Sequence, residues 1–574
     1  MPKPRGNQRV PYFAGGVRLD AGSRLAPIGG VNDSGANRGL ISKLATAFRD
    51  GRGGALWVMG VLVGLIAGYA TLGLRLTISA IEVLAFGVTE ESLASAAADL
   101  PDGRLLLTPV VAGCIIAALL WLGGRAGWVN NGRASGVPDV LEARAVKNGR
   151  IELKTGLYSA LLAAISLGGG GSAGREGPAV HLGGTLASQV SRLIGLSPRG
   201  SRILLACGAA AAVSASFNAP VAGALFAFEV VLGHYGLRSI APVAVSSVIG
   251  ALIVRFHLGD DAAFAITQAY QSHLFDYPAA AMLGIAAAGM AILFDRGVLH
   301  GGGWIDGVAE RLRLPLWLLP IPGGLMIGCL ALIAPEILGV GYEATSNALS
   351  GEYMFNELIV LIALKTLATF VTIGFRFAGG VFSPSIYLGA MLGAAFGLIM
   401  VQLFGDQTAG AGFFAVVGMG AVSGAVLGAP LSTTLIVFEL TSSYEAAVAV
   451  LVAVSLATVL TQSALGGSLF HKQVMRRGYD ISGGASRLVL QMVRVRQCMM
   501  PLDHWGEAEI DSGVCLYEDD TLGRAMGVFD AEQLEGAAVR SRSADQPIIG
   551  WLTKADAQAA YAKSLAEISE EEHR

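Results

Sequence analysis

Between Ala55 and about Gln473 the chain is a succession of apolar segments, many of them cut by glycine or proline. The clearest run over 105–123, 155–170, 202–232, 240–254, 278–294, 314–334, 357–374, 386–404, 412–440 and 445–465. Several fall short of the ~20 residues that cross a bilayer upright. A broken helix at membrane depth strands backbone polar groups, so it survives only inside protein or along a watery cavity. The pattern predicts an all-α polytopic membrane protein, a bundle whose short broken helices meet near the midplane. Composition agrees: 53% of the 574 residues are apolar and 14% charged, where soluble proteins average about 25% charged. Such a chain cannot cover itself with polar surface, so lipid must be its solvent over much of its length. That excludes a soluble enzyme, a disordered protein and a disulfide scaffold. A net charge of −3 gives no case for nucleic acid.

The flanks differ from this middle. Residues 1–53 are polar and Gly-rich, with nine Lys/Arg against three Asp. No compact apolar core with a small-residue cleavage site marks a signal peptide. The basic flank ahead of the first span, Ala55 to about Gly73, predicts a cytoplasmic N-terminus. Residues 476–574 are mixed and charged and read as a soluble appendage. Its runs Gly513–Tyr517 and Pro547–Leu552 read as strands, and Thr521–Phe529 and Ala555–Leu565 as helices. The expected organisation is a cytoplasmic region 1–53, a membrane domain 54–475 and a cytoplasmic tail 476–574. The five cysteines form no CxxC and the eight histidines no HExxH, so no metal ligand set is expected.

The membrane domain echoes itself in two halves, about 54–256 and 275–475. After Pro220 and again after Pro430, Phe follows at eight residues and Glu at nine, giving Phe228-Glu229 and Phe438-Glu439. Gly208 and Gly418 both lie twelve residues before that proline. A second match pairs Pro178-x-x-x-Leu182-Gly183 with Pro384-x-x-x-Leu388-Gly389. The two offsets, 210 and 206 residues, are close enough to be one repeat. Repeated halves with interrupted helices in matching positions point to a transport site at their interface. A structural helix-end role is the favoured reading of Glu229 and Glu439.

Three Gly/Pro breaks stand out: Ala134-Ser135-Gly136-Val137-Pro138, Gly174-Arg175-Glu176-Gly177-Pro178, and Gly379-Gly380-Val381-Phe382-Ser383-Pro384. Proline suits the first helical turn, so each break exposes a helix N-terminus whose N–H groups and dipole attract anions. Three such ends, with the Ser135 hydroxyl, make an anion site without a fixed positive charge. Binding there stays weak enough for release. Glu176 is the expensive residue, a carboxylate at the start of an apolar segment. At ~4 Å it would repel an anion by ~1 kcal/mol in water and ~4 kcal/mol at an effective dielectric of ~20. It therefore reads as an anion mimic that blocks the site until protonated. Arg175 reads as an anchor for its loop.

These motifs, with Phe217-Asn218-Ala219-Pro220, resemble the signatures of the CLC chloride channel and transporter family over roughly residues 55–475. The resemblance implies an inverted-repeat bundle, assembled as a homodimer with one pore per subunit in the cell membrane. It implies a chloride site lined by Ser135, Gly136 and the amides of Val381 and Phe382. Glu176 would be the gate, within the pore motif Gly174, Arg175, Gly177, Pro178 and Gly380. Chloride, and other small anions, would be the cargo, with no further cofactor and no enzymatic activity. The sequence also departs from the family. Val230 stands where proton-coupled members carry a second glutamate, so the proton relay is lost. Phe470 stands where the family has a pore tyrosine. Arg376, in Phe375-Arg376-Phe377, either adds positive potential at the pore mouth or sits at the lipid interface. The expectation is a glutamate-gated chloride channel; the alternative is a proton-coupled chloride antiporter, kept open by Asp139 and Glu142. The tail resembles a single degenerate CBS module at about 492–565. Thr553 and Asp556 stand where that module can hold a ribose, but a dimer clamp is favoured over nucleotide binding.

Overall fold

Apolar chain in lipid must satisfy its backbone internally, and helices are how this chain does so. The computed structural model describes residues 54–89, 92–129, 132–259, 272–481, 484–501, 514–543 and 547–573; the polar region expected at 1–53 lies outside them. The first half of the bundle comprises α1 (Gly54–Phe86), α2 (Leu93–Ala98), α3 (Asp102–Arg125), α4 (Val137–Val146), α5 (Leu153–Gly168) and α6 (Glu176–Ile194). It continues with α7 (Pro198–Phe217), α8 (Pro220–Phe226), which ends in a π-turn over Ala227–Leu232, and α9 (Leu237–Leu258). The second half comprises α10 (Asp276–Arg311), α11 (Pro320–Ala331), α12 (Tyr342–Ser350), α13 (Phe355–Gly374) and α14 (Phe382–Phe404). It closes with α15 (Ala411–Leu427), α16 (Pro430–Thr441), α17 (Tyr444–Leu465) and the short α18 (Leu469–Arg476). Among the described residues, eight helical segments are long and apolar enough to cross a membrane. Large apolar side chains such as Leu84, Phe256 and Ile333 stand on the outside, as expected where lipid replaces water.

Two apolar segments that look continuous in the sequence, 202–232 and 412–440, are each two helices. The first breaks at Asn218 (φ 57°) and the second at Gly428 (φ 70°), both in the left-handed region. In each case Ala-Pro follows and the proline opens the next helix. Apolarity alone does not reveal the break; a left-handed C-cap followed by proline does.

The two halves are built alike. Helix α6 crosses α7 where Gly183 meets Gly208, and a Cβ on either would lie 2.3 Å from the other's carbonyl oxygen. Helix α14 crosses α15 the same way, Gly389 against Gly418, again at 2.3 Å. Small residues let membrane helices approach backbone to backbone, where dispersion rather than water exclusion holds them. The halves also cap each other. Glu229, at the end of α8, accepts from the amides of Leu431 (3.1 Å) and Ser432 (2.8 Å) and from the Ser432 hydroxyl. Glu439, near the end of α16, accepts from the amides of Val221 (2.9 Å) and Ala222 (2.8 Å). Each carboxylate satisfies the orphan N–H groups of the opposite helix.

The tail has helices α19 (Gly484–Met492), α20 (Val495–Cys498), α21 (Leu522–Ala531) and α22 (Lys554–His573), with strands β1 (Met500–Pro501), β2 (Cys515–Tyr517), β3 (Gly536–Arg540) and β4 (Ile548–Thr553). The strand order is β1-β4-β3-β2. Strand β2 runs parallel to β3, and β4 antiparallel to both β3 and β1. Val489, Leu516, Phe529, Val539 and Leu552 make its separate core. The sequence shows β2, α21, β4 and α22; β1, β3, α19 and α20 escape it, since Gly536–Arg540 is built mostly of small residues, α19 follows a charged stretch, and β1 and α20 are only two and four residues long. Thr553 and Asp556 bond to each other: the Thr553 hydroxyl donates to Asp556 at 2.5 Å and accepts from its amide at 3.0 Å. They form the cap of α22.

Candidate anion-conducting site

The second and third breaks meet face to face. Gly174 and Gly380 form an antiparallel bridge, N–H to C=O in both directions, at 2.8 and 2.6 Å. They are equivalent under the 206-residue offset, so a local two-fold axis passes between them. On one side α6 begins at Glu176, on the other α14 begins at Phe382. Both helices take proline in their first turn, and the N–H groups before it have no earlier turn to accept them.

A cavity of about 770 Å³ leads to this point. Ser135, Gly136, Glu176, Gly177, Gly380, Val381, Phe382 and Phe470 all line it. Arg477 and Tyr479, just ahead of the tail in sequence, also line it. The structure thus gathers the three motifs and Phe470 around one space. Gly174, Arg175, Pro178 and Val230 lie outside that lining. Gly174 serves it indirectly, since a Cβ there would lie 2.5 Å from Oε2 of Glu176. Arg175 is the anchor: its guanidinium donates to the Ser216 carbonyl (3.4 Å) and the Tyr342 hydroxyl (3.2 Å) and lies over the Tyr342 ring. Val230 is buried in the π-turn closing α8. Phe382 is set by an edge-to-face contact with Phe217, ring centroids 5.0 Å apart.

The first break differs from expectation. The amide of Gly136 is not available to an anion, because it donates to Oδ2 of Asp139 at 2.8 Å. The amide of Ser135 donates to the Ser159 hydroxyl at 3.0 Å. A capping aspartate three residues on explains this, and it leaves the Ser135 hydroxyl as the first motif's polar offering. Glu176 is 2% exposed, and its Oε1 accepts from the Ser383 hydroxyl at 2.6 Å.

The cavity lining also carries charged residues. Arg376, in a left-handed conformation (φ 67°), donates to the Gly132 carbonyl at 3.0 Å and to Asp306 at 2.8 Å. It lines the cavity and is 4% exposed, so the lipid-interface reading is wrong. Arg133 shares Asp306 at 3.0 Å, so two cations hold one carboxylate. On the same lining, Arg477 reaches Asp139 and Glu142, both at 2.9 Å, and Lys147 pairs with Glu142 at 2.9 Å. Arg133, Asp306 and Arg477 escape sequence reading because they are distant in the chain and sit in ordinary polar contexts.

The model of the family described as voltage gated chloride channel matches residues 113–462. A protein named putative chloride channel protein ClcB-like, from Ralstonia nicotianae, is 31% identical over 424 residues, covering 73% of this chain and 96% of that one. The fold is similar to a slow cyanobacterial Cl-/H+ antiporter, with TM-score 0.64 and 24% identity over 74% of this chain and 97% of the other. It is also similar to a eukaryotic CLC transporter, with TM-score 0.62 and 19% identity over 89% of this chain and 98% of the other. The last match takes in more than the membrane domain can supply, so it reaches into the tail.

Proposed function

Because the chain belongs to the voltage-gated chloride channel family, a family of multi-pass chloride transporters, we propose that it conducts chloride passively, as a channel gated by Glu176. One observation carries this reading. The buried Glu176 carboxylate lines the cavity, at the start of one of the two helices that face each other there, while the position for a second proton acceptor holds the buried Val230. The neighbouring Glu229 is engaged as a helix cap, so it offers no substitute. The chloride path runs past Ser135 and the amides of Val381 and Phe382, and Phe470 narrows it with an apolar ring. Protonation of Glu176 removes the charge that excludes chloride from its place. A homodimer in the cell membrane, both termini cytoplasmic, with the tail bracing the dimer, completes the reading.

The rival is coupled chloride/proton exchange, favoured by the carboxylates of Asp139 and Glu142 in the same cavity as Glu176. Liposomes with chloride and proton fluxes recorded together decide between them. A channel moves chloride down its gradient without driving protons, and its current reverses near the chloride equilibrium potential at any pH gradient. Sustained uphill proton movement under a chloride gradient would establish exchange instead.

A further inference from the structure

Ser383 is the second residue of α14, and the repeat that pairs Pro178 with Pro384 places it opposite Gly177. Its hydroxyl therefore has no counterpart in the first half. Ser383 is 4% exposed and Glu176 2%, so the 2.6 Å bond between them is shielded from water. We propose that Ser383 is a latch: its hydroxyl holds the ionised Glu176 carboxylate in the blocking position and so sets the acidity at which the pore opens. The proposal rests on reading Glu176 as the gate.

A hydrogen bond to an ionised group is stronger than one between neutral groups, and a water-poor site strengthens it further. Donation to the charged form favours that form, and protonation removes the charge that makes the latch strong. Other charged groups on the cavity already have partners. From α4, Asp139 and Glu142 face Arg477 and Lys147. Elsewhere on the lining, Arg133 and Arg376 share Asp306, and Arg476 donates to the Leu299 carbonyl. Arg175, next in sequence to the gate, is turned to Ser216 and Tyr342. Ser383 is thus the hydroxyl placed to tune the gate without adding charge to the anion path.

The test is chloride efflux from liposomes against pH, using the full chain. Ser383→Ala should raise efflux at neutral pH roughly tenfold and move half-activation about one pH unit to the alkaline side. Ser383→Thr keeps the hydroxyl and should stay close to wild type. In a Glu176→Ala background, Ser383→Ala should change nothing further. An unshifted half-activation pH in Ser383→Ala, while Glu176→Ala alone speeds efflux, would sink the latch and leave the gate standing. A Ser383→Thr protein that behaves like Ser383→Ala, or a Ser383→Ala effect that persists without Glu176, also overturns it. If Glu176→Ala alters neither efflux nor its pH response, the gate falls and the latch with it.

Discussion

Glu176 is a buried carboxylate on the cavity lining, and in the proposed reading its charge stands beside the path of the anion. Neutralising it removes a repulsion worth up to ~4 kcal/mol at close range. Glu176→Gln should therefore raise chloride efflux near neutral pH by about tenfold or more and flatten its activation by acid, measured in liposomes across pH 5–8. The direction follows from protonation: a carboxylate that blocks when charged opens as pH falls, and Gln mimics the protonated form at every pH. At this scale the chain was readable where one residue type breaks a local rule. An acid heading an apolar helix shows in the bare sequence; Val230, where proton-coupled relatives carry glutamate, and Phe470, where the family has tyrosine, show once the resemblance supplies the comparison. What did not show was partnership. Ser383 looks like any helix-opening serine until α14 brings it to Glu176, and Gly136 looks like a free amide until Asp139 takes it.

Among elements, the informative devices are the two exchanged carboxylate caps and the two glycine crossings. The sequence displays their spacing, Pro to Glu at nine residues in each half. It does not display that each glutamate caps the other half's helix, because a repeat offset says which residues are equivalent and not which ones touch. Removing a helix cap costs about 1–2 kcal/mol. Glu229→Ala and Glu439→Ala should each lower stability by about that much, read as an earlier unfolding midpoint in detergent. Glu229→Gln keeps a carbonyl acceptor and should lose less. Anion selectivity should hold in all three, because neither glutamate lines the cavity. A change in selectivity with no loss of stability would place Glu229 in the transport path.

For the whole molecule, the membrane bundle and the tail have separate hydrophobic cores. The pore motifs all precede the tail, so a chain ending at about Ala485 should still insert and carry chloride. The check is efflux from liposomes with truncated and full-length protein side by side; a truncated protein that inserts without flux would make the tail part of the transport mechanism. In the sequence, charge density changes at about Met475, ahead of the residues that make the second of these cores. The fine boundary of the tail's sheet was not legible there, because its strands are short and gain their identity from pairing. The Gly174–Gly380 bridge carries one more consequence, for how the protein is made. Its two strands are separated by 206 residues, and closing so long a loop is slow compared with local helix formation. Ribosomes deliver about 5–20 residues per second, so α6 waits on the order of ten seconds or more for the partner that completes its site. Throughout that wait Glu176 and an unmatched helix end lack the second-half residues, Ser383 among them, that cover them in the finished fold. The first half must be tolerable to the insertion machinery as an unfinished object, and the exposure ends only when the second half arrives and closes over it.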